Sequence, residues 1–252
     1  MKFTIGTYEL TVNIPDWPTL SDRLRDRFAA KQGFALATVN LDHLVKLRRD
    51  MDFRAAYKAQ DLVVADGNPI VWMSRIAGQS VQLLPGSDLI LPLCQLAADM
   101  QVPIGLVGTT DDSLKRAAVE LERQVPGLRV VARIAPPFGF DPQGAQADDI
   151  LRQLEQAGVG LCFIALGAPK QELFAARGRS VAPSVGFASI GAGLDFLAGQ
   201  QKRAPKWVRQ VQMEWLWRML ENPGRLFMRY MRCFWILPRH IVQSYTLRRR
   251  NS

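Results

Sequence analysis

One carboxylate stands where a buried strand should end. Leu62, Val63, Val64 and Ala65 make an apolar run of strand length, and Asp66, Gly67, Asn68 and Pro69 follow it with turn and helix-start chemistry. Asp66 is thereby placed at the carboxyl end of a parallel strand, the edge of an open α/β sheet on which ligands bind. A simpler use of the same side chain is to cap the helix entered at Pro69. The second site of chemical interest is Gly167-Ala168-Pro169-Lys170-Gln171-Glu172. It follows another apolar run, and a glycine that admits close backbone approach, a helix start and a lysine together make a phosphate or pyrophosphate cradle. The plain alternative is an ordinary strand-to-helix turn with Lys170 in solvent. Thr38, Asn40, Gly108 and Thr109 occupy matching strand ends and are expected to line the same cleft, although each one alone is explained by turn chemistry.

Other patterns fall away on spacing. Gly191-Ala192-Gly193 lacks the third glycine and the later acidic residue of a dinucleotide fingerprint, which removes the support for a nicotinamide oxidoreductase, and no Walker-type loop is present. Asp50-Met51-Asp52 lies between helical segments instead of after a strand, so metal binding there is not expected. His43 and His240 are isolated, which excludes a histidine-rich metal site and a serine-type triad and leaves them as surface or helix-packing residues. Cys94, Cys162 and Cys233 are far apart and show no pairing or metal spacing, as expected of a reducing compartment.

These residues need a scaffold, and the chain supplies an alternating one. Residues 3–14 read as a hairpin around Gly6, and strands are expected at 34–38, 62–65, 103–107, 128–134, 161–166 and 185–190. Helices are expected at 19–31, in two pieces over 43–59, and at 69–77, 88–100, 111–124 and 146–157. Such alternation predicts a doubly wound, mostly parallel, Rossmann-like α/β sheet over residues 1–200, with an N-terminal β-hairpin and a helical appendage over 201–252.

Charge separates the same two parts. Of the 252 residues, 200–252 hold 12 of the 32 Lys and Arg but 2 of the 23 Asp and Glu. The tail therefore carries +10 and the body −1, which makes the tail a cationic device for phosphate-bearing partners. On a helical wheel Arg225, Arg229 and Arg232 fall on one side, with Phe227, Tyr230, Met231, Phe234 and Trp235 broadly opposite. Spanning a bilayer is excluded, since two central arginines cost about 5 to 7 kcal/mol. Lying on an anionic surface gains roughly 1 kcal/mol per basic residue. Upstream, Trp207, Val208, Val211, Trp215 and Met219 form a stripe expected to pack on the body or on a second copy of the chain. The N-terminal residues show no signal-peptide run. A basic nucleic-acid or membrane adaptor without catalysis would explain the tail but not the polar strand ends.

From about Ala37 to Tyr230 the sequence resembles the WecG/TagA/CpsF glycosyltransferases, glycosyltransferase family 26. The resemblance rests on Thr38-Val39-Asn40, Asp66-Gly67-Asn68-Pro69, Gly86-Ser87-Asp88-Leu89 and the stretch from Gly167 to Glu172. It continues through Gly191-Ala192-Gly193-Leu194-Asp195-Phe196 with Gly199, Arg203-Ala204-Pro205, Glu214-Trp215-Leu216 with Arg218, and Pro223 with Arg225, Arg229 and Tyr230. It implies an inverting, metal-independent transfer of a hexose from a UDP-sugar to a polyprenyl-diphosphate-linked saccharide, with no cofactor. The place of work would be the cytoplasmic face of the inner membrane, with the protein bound peripherally. Asp66 matches the proposed general base, Thr38, Asn40 and Gln171 match the pocket, and Arg218, Arg225 and Arg229 match an appendage that completes the site on the membrane. Leu83 stands where the family usually has an arginine, three residues before Gly86, so contacts there should differ. UDP-glucose in exopolysaccharide assembly is the expected donor; UDP-N-acetylmannosamine or N-acetylmannosaminuronic acid transfer in cell-surface polymer synthesis is the alternative.

Overall fold

The structure is a computed structural model; it describes residues 1–191, 193–199, 205, 208, 214–221 and 223–251. Two short strands, β1 (Lys2–Ile5) and β2 (Tyr8–Thr11), pair antiparallel across Gly6, whose positive φ makes the tight turn. Alternation buries Phe3, Ile5, Tyr8 and Leu10 on one face of this hairpin. The six remaining strands are β3 (Phe34–Val39), β4 (Leu62–Ala65), β5 (Ile104–Gly108), β6 (Val130–Ile134), β7 (Leu161–Ala165) and β8 (Gly186–Ser189). They form one parallel sheet in the order β4-β3-β8-β7-β5-β6. Five of them are buried almost throughout because both faces are covered by helices, whereas the edge strand β6 alternates between half-buried and exposed residues.

Helices α1 (Trp17–Ala29), α5 (Gly86–Asp99) and α6 (Asp111–Gln124) cover one face, where Leu24, Leu93 and Leu114 meet Phe34, Leu36, Val64 and Phe163. On the other face α7 (Ala145–Gln156) and α8 (Lys170–Val181) pack Leu151 and Phe174 against Ile164 and Phe187. Beside them α2 (Leu41–Leu47), α3 (Met51–Lys58) and α4 (Asn68–Ile76) join the hairpin over Ala37, Val39 and Val63. The Asp50 of the D-x-D sequence caps α3 by accepting the Phe53 N–H at 2.9 Å. All three cysteines are buried and free.

Element boundaries differ from expectation where a turn intervenes. Gly127, with φ +85°, keeps Leu128 in a turn bonded to Val125, so β6 begins at Val130. Helix α5 starts at Gly86, close to the end of β8: a Cβ there would meet the Ile190 backbone at 3.0 Å and push it back by a few tenths of an ångström.

Beyond the sheet come α9 (Gly193–Leu197), α10 (Glu214–Glu221) and the long α11 (Pro223–Asn251). Helix α11 docks on α2, α4 and β1, burying Leu226, Cys233, Ile236, His240 and Ser244. Phe227, Met228, Met231, Phe234 and Trp235 face outward instead, Trp235 with 85% of its surface exposed. Of the tryptophan stripe, Trp215 stacks edge-on against Tyr230 and Phe234 of α11, at 5.6 and 5.4 Å, and Val208 is buried. Trp207 and Val211 lie outside the described residues. Among the described residues no helix is long and apolar enough to cross a membrane.

Candidate active site

The parallel ladder carries Asp66 to the edge of the sheet. Its backbone N–H donates to Val39 O at 2.8 Å, the last bond between β3 and the chain leaving β4. Gly67 then takes φ +131°, which a side chain would resist, and α4 begins at Asn68. The half-buried carboxylate is held from the neighbouring strand: Asn40 Nδ2 donates to Asp66 Oδ2 at 3.2 Å and Thr38 Oγ1 to the same oxygen at 3.5 Å. The orientation of Asn40 is itself fixed, because its Oδ1 caps α2 by accepting the His43 N–H at 3.2 Å. One amide thus starts a helix and grips the carboxylate. Hydrogen bonds of this kind favour the ionised form, the form needed to take a proton.

Beneath this trio lies a buried polar layer that the spacing of the sequence did not disclose. Tyr57 OH donates to Thr38 O at 2.6 Å, His43 Nδ1 lies 2.8 Å from the same carbonyl, and the two side chains are 3.0 Å apart. Burial pushes the His43 imidazole down to about 4, so it is uncharged at neutral pH. Burial likewise holds the Tyr57 phenol well above its ordinary value, with Glu172 and Asp66 adding to the effect. His43 is therefore a core residue and not a surface one.

Alongside, the buried Asp42 carboxylate pairs with Lys46 Nζ at 3.0 Å and with Arg229 Nη2 of α11 at 3.1 Å. Burial alone would raise the Asp42 pKa, but the two cations outweigh it and hold the carboxyl below the usual range. Lys46 also donates to Ala168 O at 2.9 Å, tying α2 to the turn after β7. Arg229 thus meets the same short helix that Asn40 caps. The side chains of Arg218 and Arg225 lie outside the described residues.

The turn after β7 is built differently from a simple phosphate cradle. Gly167 is exposed, at φ +71°, with open space where a Cβ would stand. Pro169 follows a cis peptide and occupies the cap position, with α8 starting at Lys170. Lys170 Nζ donates to Phe140 O at 2.7 Å, fastening the loop after β6. Gln171, expected in the pocket, is buried with 2% of its surface exposed. Its Oε1 accepts the Gly191 N–H at 3.1 Å and its Nε2 donates to Glu172 Oε1 at 2.8 Å, so it positions the turn after β8. Burial pushes Glu172 up to about 7.

Gly108 is needed for packing, since a Cβ there would fall 2.4 Å from Ala165 O. Thr109 Oγ1 donates to Asp195 Oδ1 at 2.5 Å, holding α9 against the end of β5. Neither residue makes a hydrogen bond to the Asp66 trio. Leu83 forms a parallel bridge with Ala65, the residue before Asp66, and Leu84 N–H donates to Ala65 O at 2.8 Å. The position at which the family usually carries an arginine therefore lies beside the residue that precedes Asp66. Among the described residues no three His, Cys, Asp or Glu side chains are grouped to hold a metal ion.

Comparison with known proteins adds two findings. The family model described as Glycosyl transferase WecG/TagA/CpsF family matches residues 6–251. A relative from Bacillus subtilis (strain 168), N-acetylglucosaminyldiphosphoundecaprenol N-acetyl-beta-D-mannosaminyltransferase, is 26% identical over 197 residues. That match covers 77% of this chain and 74% of the relative.

Proposed function

The chain belongs to the WecG/TagA/CpsF family of glycosyltransferases, and from that premise we propose that it moves N-acetylmannosamine from a UDP-linked donor to a polyprenyl-diphosphate-linked N-acetylglucosamine. This donor takes the place of the UDP-glucose expected from the resemblance to the exopolysaccharide branch of the family, because the Bacillus subtilis relative is an N-acetylmannosaminyltransferase acting on such an acceptor. Asp66 accepts the proton of the acceptor hydroxyl as that oxygen attacks the anomeric carbon. The bond to UDP breaks on the opposite face, which inverts the configuration. In the metal-independent reaction that the family resemblance implies, charge on departing UDP is met by helix N-termini and by arginines of the 201–252 segment, Arg218, Arg225 and Arg229. Gly167 leaves room for backbone approach on the same sheet edge.

The observation that carries this reading is the grip of Asn40 and Thr38 on one oxygen of a half-buried carboxylate at the end of β4. A general base contributes about 10²- to 10⁴-fold. Asp66→Asn is therefore expected to lower kcat by that factor while calorimetry shows UDP still bound; rates like those of the unaltered chain would remove Asp66 from the role. Donor identity is read by mass spectrometry of products from a UDP-sugar panel on a lipid-diphosphate N-acetylglucosamine acceptor. Transfer from UDP-glucose in preference to UDP-N-acetylmannosamine would restore the glucosyltransferase reading.

Work on an anionic membrane surface, at the cytoplasmic face, belongs to the same proposal. It is supported by the charge of the 200–252 segment and by the outward apolar row on α11.

A further inference from the structure

His43 and Tyr57 have no part in proton transfer as written above, yet both are buried directly beneath the residues that hold Asp66. Their meeting point is a carbonyl that the sheet cannot satisfy. Val39 O accepts the Asp66 N–H, so Val39 faces β4 and the adjacent Thr38 carbonyl faces β8. Pairing of β3 with β8 stops at Leu36 and Ala188, and the Gly191 N–H, which the register would bring to Thr38 O, donates to Gln171 Oε1 instead. Thr38 O thus emerges past the end of its ladder inside the protein, where a backbone acceptor needs donors. Tyr57 OH at 2.6 Å and His43 Nδ1 at 2.8 Å supply them. The single phenolic proton is committed to the carbonyl, which leaves the Nδ1 proton for the imidazole and makes it the Nδ1–H tautomer. Phe53 wedges both rings, edge-on to Tyr57 at 5.0 Å and to His43 at 6.0 Å.

We infer that His43 and Tyr57 are positioning residues for the Asp66 base: by gripping the Thr38 carbonyl from two sides they fix the end of β3. The Thr38 hydroxyl and the Asn40 amide, two residues apart on one face of the extended chain, then converge on the same carboxylate oxygen. His43 acts on this end a second time, since its backbone N–H orients the Asn40 amide. The inference rests on Asp66 being the base.

Tyr57→Phe removes one oxygen and keeps the ring; His43→Leu removes the ring donor; His43→Asn restores an N–H at the place of Nδ1. Tyr57→Phe and His43→Leu are each expected to lower kcat about tenfold with the KM for the UDP-sugar within about twofold, and His43→Asn to recover most of the rate. Loosening the hydrogen bonds to the ionised carboxylate should also move the acid limb of the kcat profile to higher pH, by about half a unit, which a loss of folded protein alone cannot do. If Tyr57→Phe keeps kcat within about twofold, or loses rate only in step with its folded fraction while the acid limb stays in place, the inference is overturned. Should His43→Leu fail to fold, Tyr57→Phe still decides. Asp66→Asn measured in parallel separates the two claims. Full activity in that variant ends the base reading and this inference with it, whereas an inactive Asp66→Asn beside an unaffected Tyr57→Phe ends this inference alone.

Discussion

Asn40 performs two tasks with two ends of one amide, and a substitution can divide them. Asp is as good an N-cap as Asn, so Asn40→Asp preserves the start of α2, whereas loss of the cap altogether would cost about 0.5–2 kcal/mol. The same change sets a second carboxylate where Nδ2 now lies 3.2 Å from Asp66 Oδ2. Two carboxylates that close repel as anions, which raises the pKa of the pair, and Asp66 also loses the Asn40 amide donor. The variant is expected to fold, to be less stable to urea above neutral pH than at about pH 5, where a proton relieves the repulsion, and to lose at least tenfold in kcat. Asp66, Asn40 and Thr38 were readable in the sequence because each ends an apolar run, and the rule that ligands gather at strand ends needs only that pattern. His43 and Tyr57 were not, because their purpose depends on where the β3–β8 ladder stops, a register that no local spacing encodes. Gln171 shows the converse: its place after a strand end was legible, but a neighbouring glutamate and the Gly191 N–H turn its amide inward.

At the scale of elements, α11 presents two faces of different use. Its amphipathic pattern was visible in the sequence, but a wheel does not say which face meets the body. Here the inner face is made of Leu226, Cys233, Ile236, His240 and Ser244, with Arg229 paired to Asp42, while the larger apolar side chains point out. Deleting the whole segment would therefore strip cover from α2 and α4 and confuse folding with membrane binding. Charges placed on the outer face avoid this. Burying one exposed aromatic or methionine side chain in the lipid interface contributes about 2 kcal/mol. Met231→Glu with Trp235→Glu should then weaken partitioning onto anionic vesicles by at least about a hundredfold while circular dichroism and thermal unfolding remain close to those of the unaltered chain. Vesicle binding that survives the pair of substitutions would show that the outer row is not the lipid-facing surface and would leave the arginines alone to account for attachment.

Across the whole molecule, two buried groups near the site pull stability in opposite directions with pH. His43 ordinarily titrates near 6.5 but is pushed down to about 4 by burial. Below about pH 6.5 the unfolded chain takes up a proton that the folded one refuses, so stability falls as pH drops from about 6.5 toward 4. Glu172, normally near 4.5, is pushed up to about 7 by burial. Above about pH 4.5 the unfolded chain releases a proton that the folded one keeps, so stability falls as pH rises from about 4.5 to 7. Where the windows overlap the two slopes, each at most about 1.4 kcal/mol per pH unit, oppose one another and flatten the stability of the intact protein. Removing one group uncovers the other. Measured by urea unfolding and expressed relative to the unaltered chain, Glu172→Gln should gain stability as pH rises through this range, and His43→Leu should gain it as pH falls. Differences that stay level with pH would mean that both groups already titrate near their ordinary values, and that the layer under Asp66 is wetter than its burial implies. A buried layer matters for the reaction, because a carboxylate held by fixed donors over a packed floor keeps one geometry from one turnover to the next.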